Sequence, residues 1–197
     1  MRRKSGSSNT KNETRLELRR QFVHATGILV VPVILFMDRP AATVTLGGLL
    51  LLLLILSFYR AKRKFQAKWL EDFVLKRERP GVFPLSGSVF FFLGTFCAFL
   101  LYQPLYAAAA AAVLALGDSA STMVGKFWGK HKLPLNKDKS WEGSLAFFVF
   151  SAAVLLFFVQ PQKAVVVAAL AALVEMIPRL DDNFTIPIAA GLFLTLL

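Results

Sequence analysis

Of the 12 acidic residues in this chain of 197, five stand where an acid is costly to keep. Asp118, Glu142, Glu175, Asp181 and Asp182 lie at or beside the ends of long apolar runs. An ionisable group at membrane depth costs about 3 kcal/mol or more and tends to mark function. Asp118 is the sharpest case. It directly follows the apolar stretch Leu105–Gly117 and opens Asp118-Ser119-Ala120-Ser121-Thr122, a run of small residues that lets a neighbouring helix or a ligand come close. Thr122 and Gly125 follow at i+4 and i+7, on the same helical face. A boundary Asp is also a common capping or snorkelling residue, and composition alone leaves both readings open.

A second set follows at once. Gly125-Lys126-Phe127-Trp128-Gly129-Lys130 places two lysines four apart, each behind a glycine, in what reads as a loop. Glycines let backbone N–H groups approach phosphate oxygens, and lysines supply point charges. The loop runs through Pro134 and Asn136 to Lys139-Ser140-Trp141-Glu142-Gly143-Ser144, where another helix should begin. A helix N-terminus suits an anion, although a first-turn acid such as Glu142 is equally the ordinary partner of the helix dipole. The pattern is not a Walker A loop, because the Gly117-to-Gly125 spacing is wrong and no strand precedes it. The lysines also fit a basic loop on the inner side of a membrane.

Seven apolar segments must position these groups: about Phe22–Met37, Ala41–Tyr59, Ser86–Tyr102, Leu105–Leu116 with an extension past Asp118, Leu145–Val159, Ala164–Ile177 and Phe184–Leu197. The chain is 56% hydrophobic and only 18% charged; a soluble domain is about a quarter charged. The segments are apolar on all faces, which disfavours barrel strands with their period of two. The expected fold is all-α: a polytopic membrane bundle of about seven transmembrane helices over residues 19–197, behind a disordered basic tail, 1–18. The short breaks Asp38-Arg39-Pro40, Gln103-Pro104 and Gln160-Pro161-Gln162 join antiparallel neighbours. Of 23 Lys and Arg, seven precede Gln21, eight lie from Arg60 to Arg79, and five from Lys126 to Lys139. With seven spans these groups and Arg179 share one side, and the positive-inside rule puts that side and the N-terminus in the cytoplasm. The net charge of +11 is then membrane topology and attraction to anionic headgroups, not nucleic-acid binding, for which no recognition fold is present. The single Cys97 excludes an intrachain disulfide and reads as a packing residue.

The ordered motifs Gly117-Asp118-Ser119-Ala120-Ser121-Thr122-Met123-Val124-Gly125-Lys126-Phe127-Trp128-Gly129-Lys130 and Lys139-Ser140-Trp141-Glu142-Gly143-Ser144 resemble those of the CTP-dependent lipid kinases. That family includes dolichol, phytol and farnesol kinases and the CTP-dependent diacylglycerol kinase, and it is related to the phosphatidate cytidylyltransferases. Arg19-Arg20-Gln21-Phe22-Val23-His24 is similar to the family's N-terminal motif, with Arg20 where Lys is usual. Glu175-Met176-Ile177-Pro178 and Asp181-Asp182-Asn183-Phe184-Thr185-Ile186-Pro187 resemble its C-terminal motif, in the form of the phytol kinase branch.

The resemblance implies phosphoryl transfer from CTP to a membrane lipid alcohol, a polyprenol, dolichol or phytol type of isoprenoid, giving the lipid monophosphate and CDP. It implies a divalent cation, Mg2+, held by Asp118 with Asp182 and Asn183 as further candidates. Lys126, Lys130 and Lys139, with Gly125, Gly129, Ser140, Arg20 and His24, would bind the nucleotide's phosphates. Asp118, Glu142 and Lys139 form the catalytic set; Glu142 would accept the hydroxyl proton or bind the metal, and Glu175 could pair with Arg179 or a loop lysine. The enzyme would sit in the cell membrane of a prokaryote, or in the endoplasmic reticulum or a plastid of a eukaryote, with its active face cytoplasmic. Three other activities remain: a cytidylyltransferase acting on a lipid phosphate, a diacylglycerol kinase, and a transporter or anion-binding module. The last would call for inverted repeats and helices broken near the midplane, which the sequence does not display.

Overall fold

A computed structural model describes residues 20–62, 85–178 and 181–197. The tail 1–18, most of the basic segment from Arg60 to Arg79, and Arg179 lie outside the described residues.

Seven helical stretches form the described chain: α1, Arg20–Phe36; α2, Arg39–Ala61; α3, Ser86–Leu101; α4, Pro104–Phe127; α5, Trp141–Leu155; α6, Pro161–Glu175; and α7, Asp182–Leu196. They follow the seven apolar segments, and no strand occurs among the described residues beyond an isolated bridge between Lys132 and Ser140. Pro40, Pro104 and Pro161 stand in the first two positions of α2, α4 and α6. Proline loses nothing there, because those N–H groups have no intrahelical partner.

Among the described residues, α2 and α4, with 23 and 24 residues, are the helices long and apolar enough to cross a membrane by length and composition. The 15-residue helices α5, α6 and α7 rise about 23 Å, short of a ~30 Å hydrocarbon core. One correction concerns length: the stretch read as starting a loop at Gly125 is still helix, since α4 runs on to Phe127. Its apolar face continues through Val124 and keeps it packed.

Helix α4 is the axis of the bundle. Ala107 to Ala112 are all fully buried, and α1, α3, α5 and α7 pack around it. An all-alanine stretch serves here because each neighbour can approach the backbone closely. Helix α2 is the opposite case. It leans on α3 and α1 and leaves Leu49, Leu51, Leu52, Leu54, Ile55 and Phe58 exposed.

Gly94 fixes how close α3 comes to the start of α7. A Cβ there would lie 2.5 Å from the Asn183 carbonyl oxygen and 2.9 Å from Phe184 Cα. Pro187 sits inside α7 and supplies no N–H to that carbonyl, four residues back. Gly94→Ala should therefore push α7 away and cost about 1–3 kcal/mol, while Gly48→Ala, with nothing within 4 Å, should leave stability unchanged or raised. Thermal unfolding of the two variants in one detergent checks this.

Candidate active site

The seven helices alternate in direction, so the starts of α1, α3, α5 and α7 gather at the same end as the finish of α4 and α6. All the chemically suggestive residues are there. Asp118 ends a π-helical stretch, Val113–Asp118, inside α4. Such a turn inserts an extra residue and re-aims the side chains after it, and it recurs at functional sites. Gly117 within it lies against Phe147 and Ser151 of α5. Asp118 is largely enclosed and faces His24 of α1, with Oδ2 3.4 Å from Nε2. The His24 ring meets Phe91 of α3 edge-on at 5.3 Å. The first helix thus delivers His24 to Asp118, a meeting that the distance between them in sequence conceals.

The second group is centred on Glu175, the last residue of α6, which is fully buried. Its Oε1 accepts from Ser121 Oγ at 2.7 Å and pairs with Lys139 Nζ at 2.8 Å, and its Oε2 accepts from Ser144 Oγ at 2.9 Å. Lys139 also donates to the Glu175 carbonyl at 2.6 Å and to Asp182 Oδ2 at 2.5 Å. A single ammonium therefore caps the C-terminus of α6 and joins it to the first turn of α7. Ser121 and Ser144 belong to the two central motifs, but the sequence assigned them no role; each sits one helical turn from Asp118 or Ser140, on a face of small residues.

Asp181 and Asp182 precede the apolar run of α7 and Lys139 precedes α5, and their protonation reflects crowding. Burial drives the Asp182 carboxyl up to about 7, against the pull of Lys139; Asp118 and Glu175 push it further. Burial also raises Asp181, partly offset by the Asn183 N–H, while Asp118 adds to the rise. Lys139 is raised: burial opposes its charge, but Asp182 and Glu175 together outweigh it. Asp118, Asp181 and Asp182 are thus close enough to feel one another.

Other expected residues have different neighbours. Glu142 bonds its own backbone N–H and receives the N–H groups of Lys130 and His131, each at 3.2 Å, and the His131 ring at 2.7 Å. Those bonds, led by its own N–H and opposed by a smaller burial effect, hold it down to about 2. A carboxylate so fully engaged is a weak base; it braces the segment between α4 and α5. Ser140, almost fully buried, is the N-cap of α5 and accepts from the Gly143 N–H at 3.2 Å. Gly125 and Gly143 bring α4 and α5 together: a Cβ on Gly143 would lie 3.2 Å from Gly125 Cα and 2.9 Å from the Ser121 carbonyl. Gly129 closes α4 through its N–H to the Gly125 carbonyl at 3.2 Å. The glycines expected to cradle phosphate thus have packing and capping tasks. Lys126 and Lys130 are exposed at the rim, and Arg20 is half-buried at the start of α1.

As a metal site the cluster suits only a cation that brings its own ligands. Among the described residues, no three His, Cys, Asp or Glu side chains converge into a ready cage. Asn183 Oδ1 is buried without a hydrogen-bond partner, beside the crowded carboxylates. Mg2+ needs one or two carboxylates, completed by phosphate oxygens and water, so the donor set fits it.

The fold and site define an all-helical bundle with a carboxylate-and-lysine cluster at one end. Comparison with known proteins gives this class its relatives. Phytol kinase 1 of Arabidopsis thaliana, a chloroplastic protein, is 31% identical over 96 residues, covering 40% of this chain and 32% of that protein. The chloroplastic farnesol kinase of the same plant is 31% identical over 127 residues, covering 55% and 41%. An uncharacterised protein of Rickettsia prowazekii is 27% identical over 194 residues, 91% of this chain and 94% of that one. The matched stretch spans about a third of the length of the curated phytol kinases. No family model and no solved structure matches the chain. The chain is thus a relative of the phytol and farnesol kinases, in keeping with the resemblance carried by its motifs.

The Asp182 carboxyl yields a pH prediction. Between 3.8 and about 7 the folded chain holds a proton that the unfolded chain has released. Its contribution to stability is therefore complete below 3.8 and is lost as the pH rises through about 7. Asp182→Asn should flatten that part of the decline in thermal midpoint with pH, measured in a buffer series across the window.

Proposed function

We propose that the chain is a kinase of a membrane lipid alcohol, an isoprenoid alcohol, that takes the γ-phosphoryl group of CTP with the help of a divalent cation. The observation that carries the proposal is the meeting of Asp118, Lys139, Glu175 and Asp182 at one end of an apolar bundle, in a chain related to phytol and farnesol kinases. Helix α2 leaves an apolar face, Leu51, Leu52, Leu54, Ile55 and Phe58, uncovered by the described residues. It supports a bundle set in the bilayer, with seven crossings and the polar end on the cytoplasmic side.

Phosphoryl transfer demands charge neutralisation and in-line positioning rather than covalent help. Asp118, Asp182 and Asn183 are the oxygen donors that would hold Mg2+, whose charge would help to neutralise the phosphates. Lys126 and Lys130 stand at the rim, where the triphosphate would enter. Lys139 keeps the buried carboxylates compatible with one another and holds α7 in register. Glu142, engaged by the Lys130 and His131 N–H groups, would brace the segment that carries Lys130 and Lys139. The alcohol would arrive sideways from the bilayer, its tail among the Phe- and Leu-rich helices.

The test uses purified protein, Mg2+, a prenol series and CTP labelled at either the γ or the α phosphate. Label should enter the lipid from γ-labelled CTP alone, and ATP should give less product. Asp118→Asn should lower the rate on the order of a hundredfold or more with unchanged purification behaviour. Transfer of α-label would instead mean a cytidylyltransferase, and no transfer from either nucleotide to prenols or diacylglycerol would overturn the enzyme reading.

A further inference from the structure

The segment between α4 and α5 is an ordered hairpin. Leu133 N–H donates to the Lys139 carbonyl at 3.1 Å, and Trp141 N–H donates to the His131 carbonyl at 3.0 Å. Leu133 is buried, Lys139 reaches inward to α6 and α7, and Glu142 holds the Lys130 and His131 N–H groups. Both arms are therefore drawn down onto the helix ends. Yet the hairpin displays large apolar side chains: Leu135 at its tip is 83% exposed, and Trp128 and Trp141 at its base are 64% and 54% exposed. Lys130, Lys132 and Lys137 are exposed among them. From Lys126 to Trp141 the sequence has five lysines against one acid, Asp138.

An ordered loop that keeps a leucine and two tryptophans uncovered by the described chain loses hydrophobic stabilisation unless something apolar meets them. Tryptophan, leucine and lysine interleaved at the end of an apolar bundle make the composition of a bilayer interface. The indoles suit the headgroup level, and each lysine is attracted to anionic lipid. We propose that hairpin 128–141 is an interfacial anchor whose partner is the anionic lipid surface around the bundle, with Leu135 and Trp128 entering the headgroup layer and Lys132 and Lys137 pairing with lipid phosphates. Because Lys139 lies in the same hairpin, anchoring it also steadies the polar cluster. The inference rests on the bundle being membrane-embedded, but not on the reaction it performs.

The experiment places a spin label at Leu135→Cys in a Cys97→Ala background, with the full chain in nanodiscs. One set of discs contains only phosphatidylcholine and the other adds phosphatidylglycerol; a label at Leu52→Cys on α2 reports embedding. Collision with dissolved oxygen and with a water-soluble nickel chelate is measured. In anionic discs the Leu135 label should gain access to oxygen and lose access to nickel several-fold relative to neutral discs. Lys132→Gln with Lys137→Gln should abolish the difference. A Leu135 label equally open to nickel in both discs, while the Leu52 label reports lipid, would overturn the anchor and leave the membrane bundle standing. Aqueous exposure of both labels would overturn the two together. A Leu135 label shielded from both reagents in either disc would mean that protein, such as a second copy of the chain, covers the tip, which also overturns the anchor.

Discussion

Glu175 is a fully buried carboxylate, and its neutralisation constrains everything around it. An uncompensated charge in such a place costs several kcal/mol, so the chain must bring a cation to it. The cation is Lys139, and two hydroxyls, Ser121 and Ser144, satisfy the remaining oxygen lone pairs. These partners come from α4, from the hairpin and from α5, while Glu175 ends α6 and Asp182 opens α7. One ion pair therefore fixes the relative placement of four helices and a loop. Removal of Lys139 strands the Glu175 charge, whereas removal of Glu175 still leaves Lys139 paired with Asp182.

The constraint also explains where the carboxylates fall. With Lys139 committed to Glu175 and Asp182, its charge is shared, and Asp118, Asp181 and Asp182 retain an excess of negative charge at the end of the bundle. Burial and mutual repulsion express that excess as raised carboxyls at Asp181 and Asp182. Beside them, Asn183 Oδ1 is buried without a hydrogen-bond partner. The starts of α1, α3, α5 and α7 bring the positive ends of their dipoles to this end, which offsets part of that charge.

Much of this was legible in the sequence. The seven apolar segments correspond to seven helices, and Pro40, Pro104 and Pro161 mark where three of them start. Asp118 was marked by its position after a long apolar run. What could not be read was pairing. Lys139 and Glu175 are 36 residues apart, and His24 and Asp118 are 94 apart, and only packing around the alanines of α4 brings each pair together. The packing tasks of the glycine–lysine stretch were hidden for a related reason. A glycine that admits a phosphate and a glycine that admits a neighbouring helix look identical in sequence, and Gly125 and Gly143 face one another. Glu142 likewise reads as a reactive acid until its bonds to Lys130 and His131 are seen.

The central claim is that the Lys139–Glu175 pair holds the polar end together. A double-mutant cycle with Lys139→Met and Glu175→Gln, followed by thermal unfolding in one lipid or detergent system, tests it most directly. Each single variant should lose stability, Lys139→Met the more because it strands a buried carboxylate. The double variant should recover much of that loss, with a coupling on the order of 2 kcal/mol. Losses that simply add would show that the two residues do not support one another, and would contradict the account.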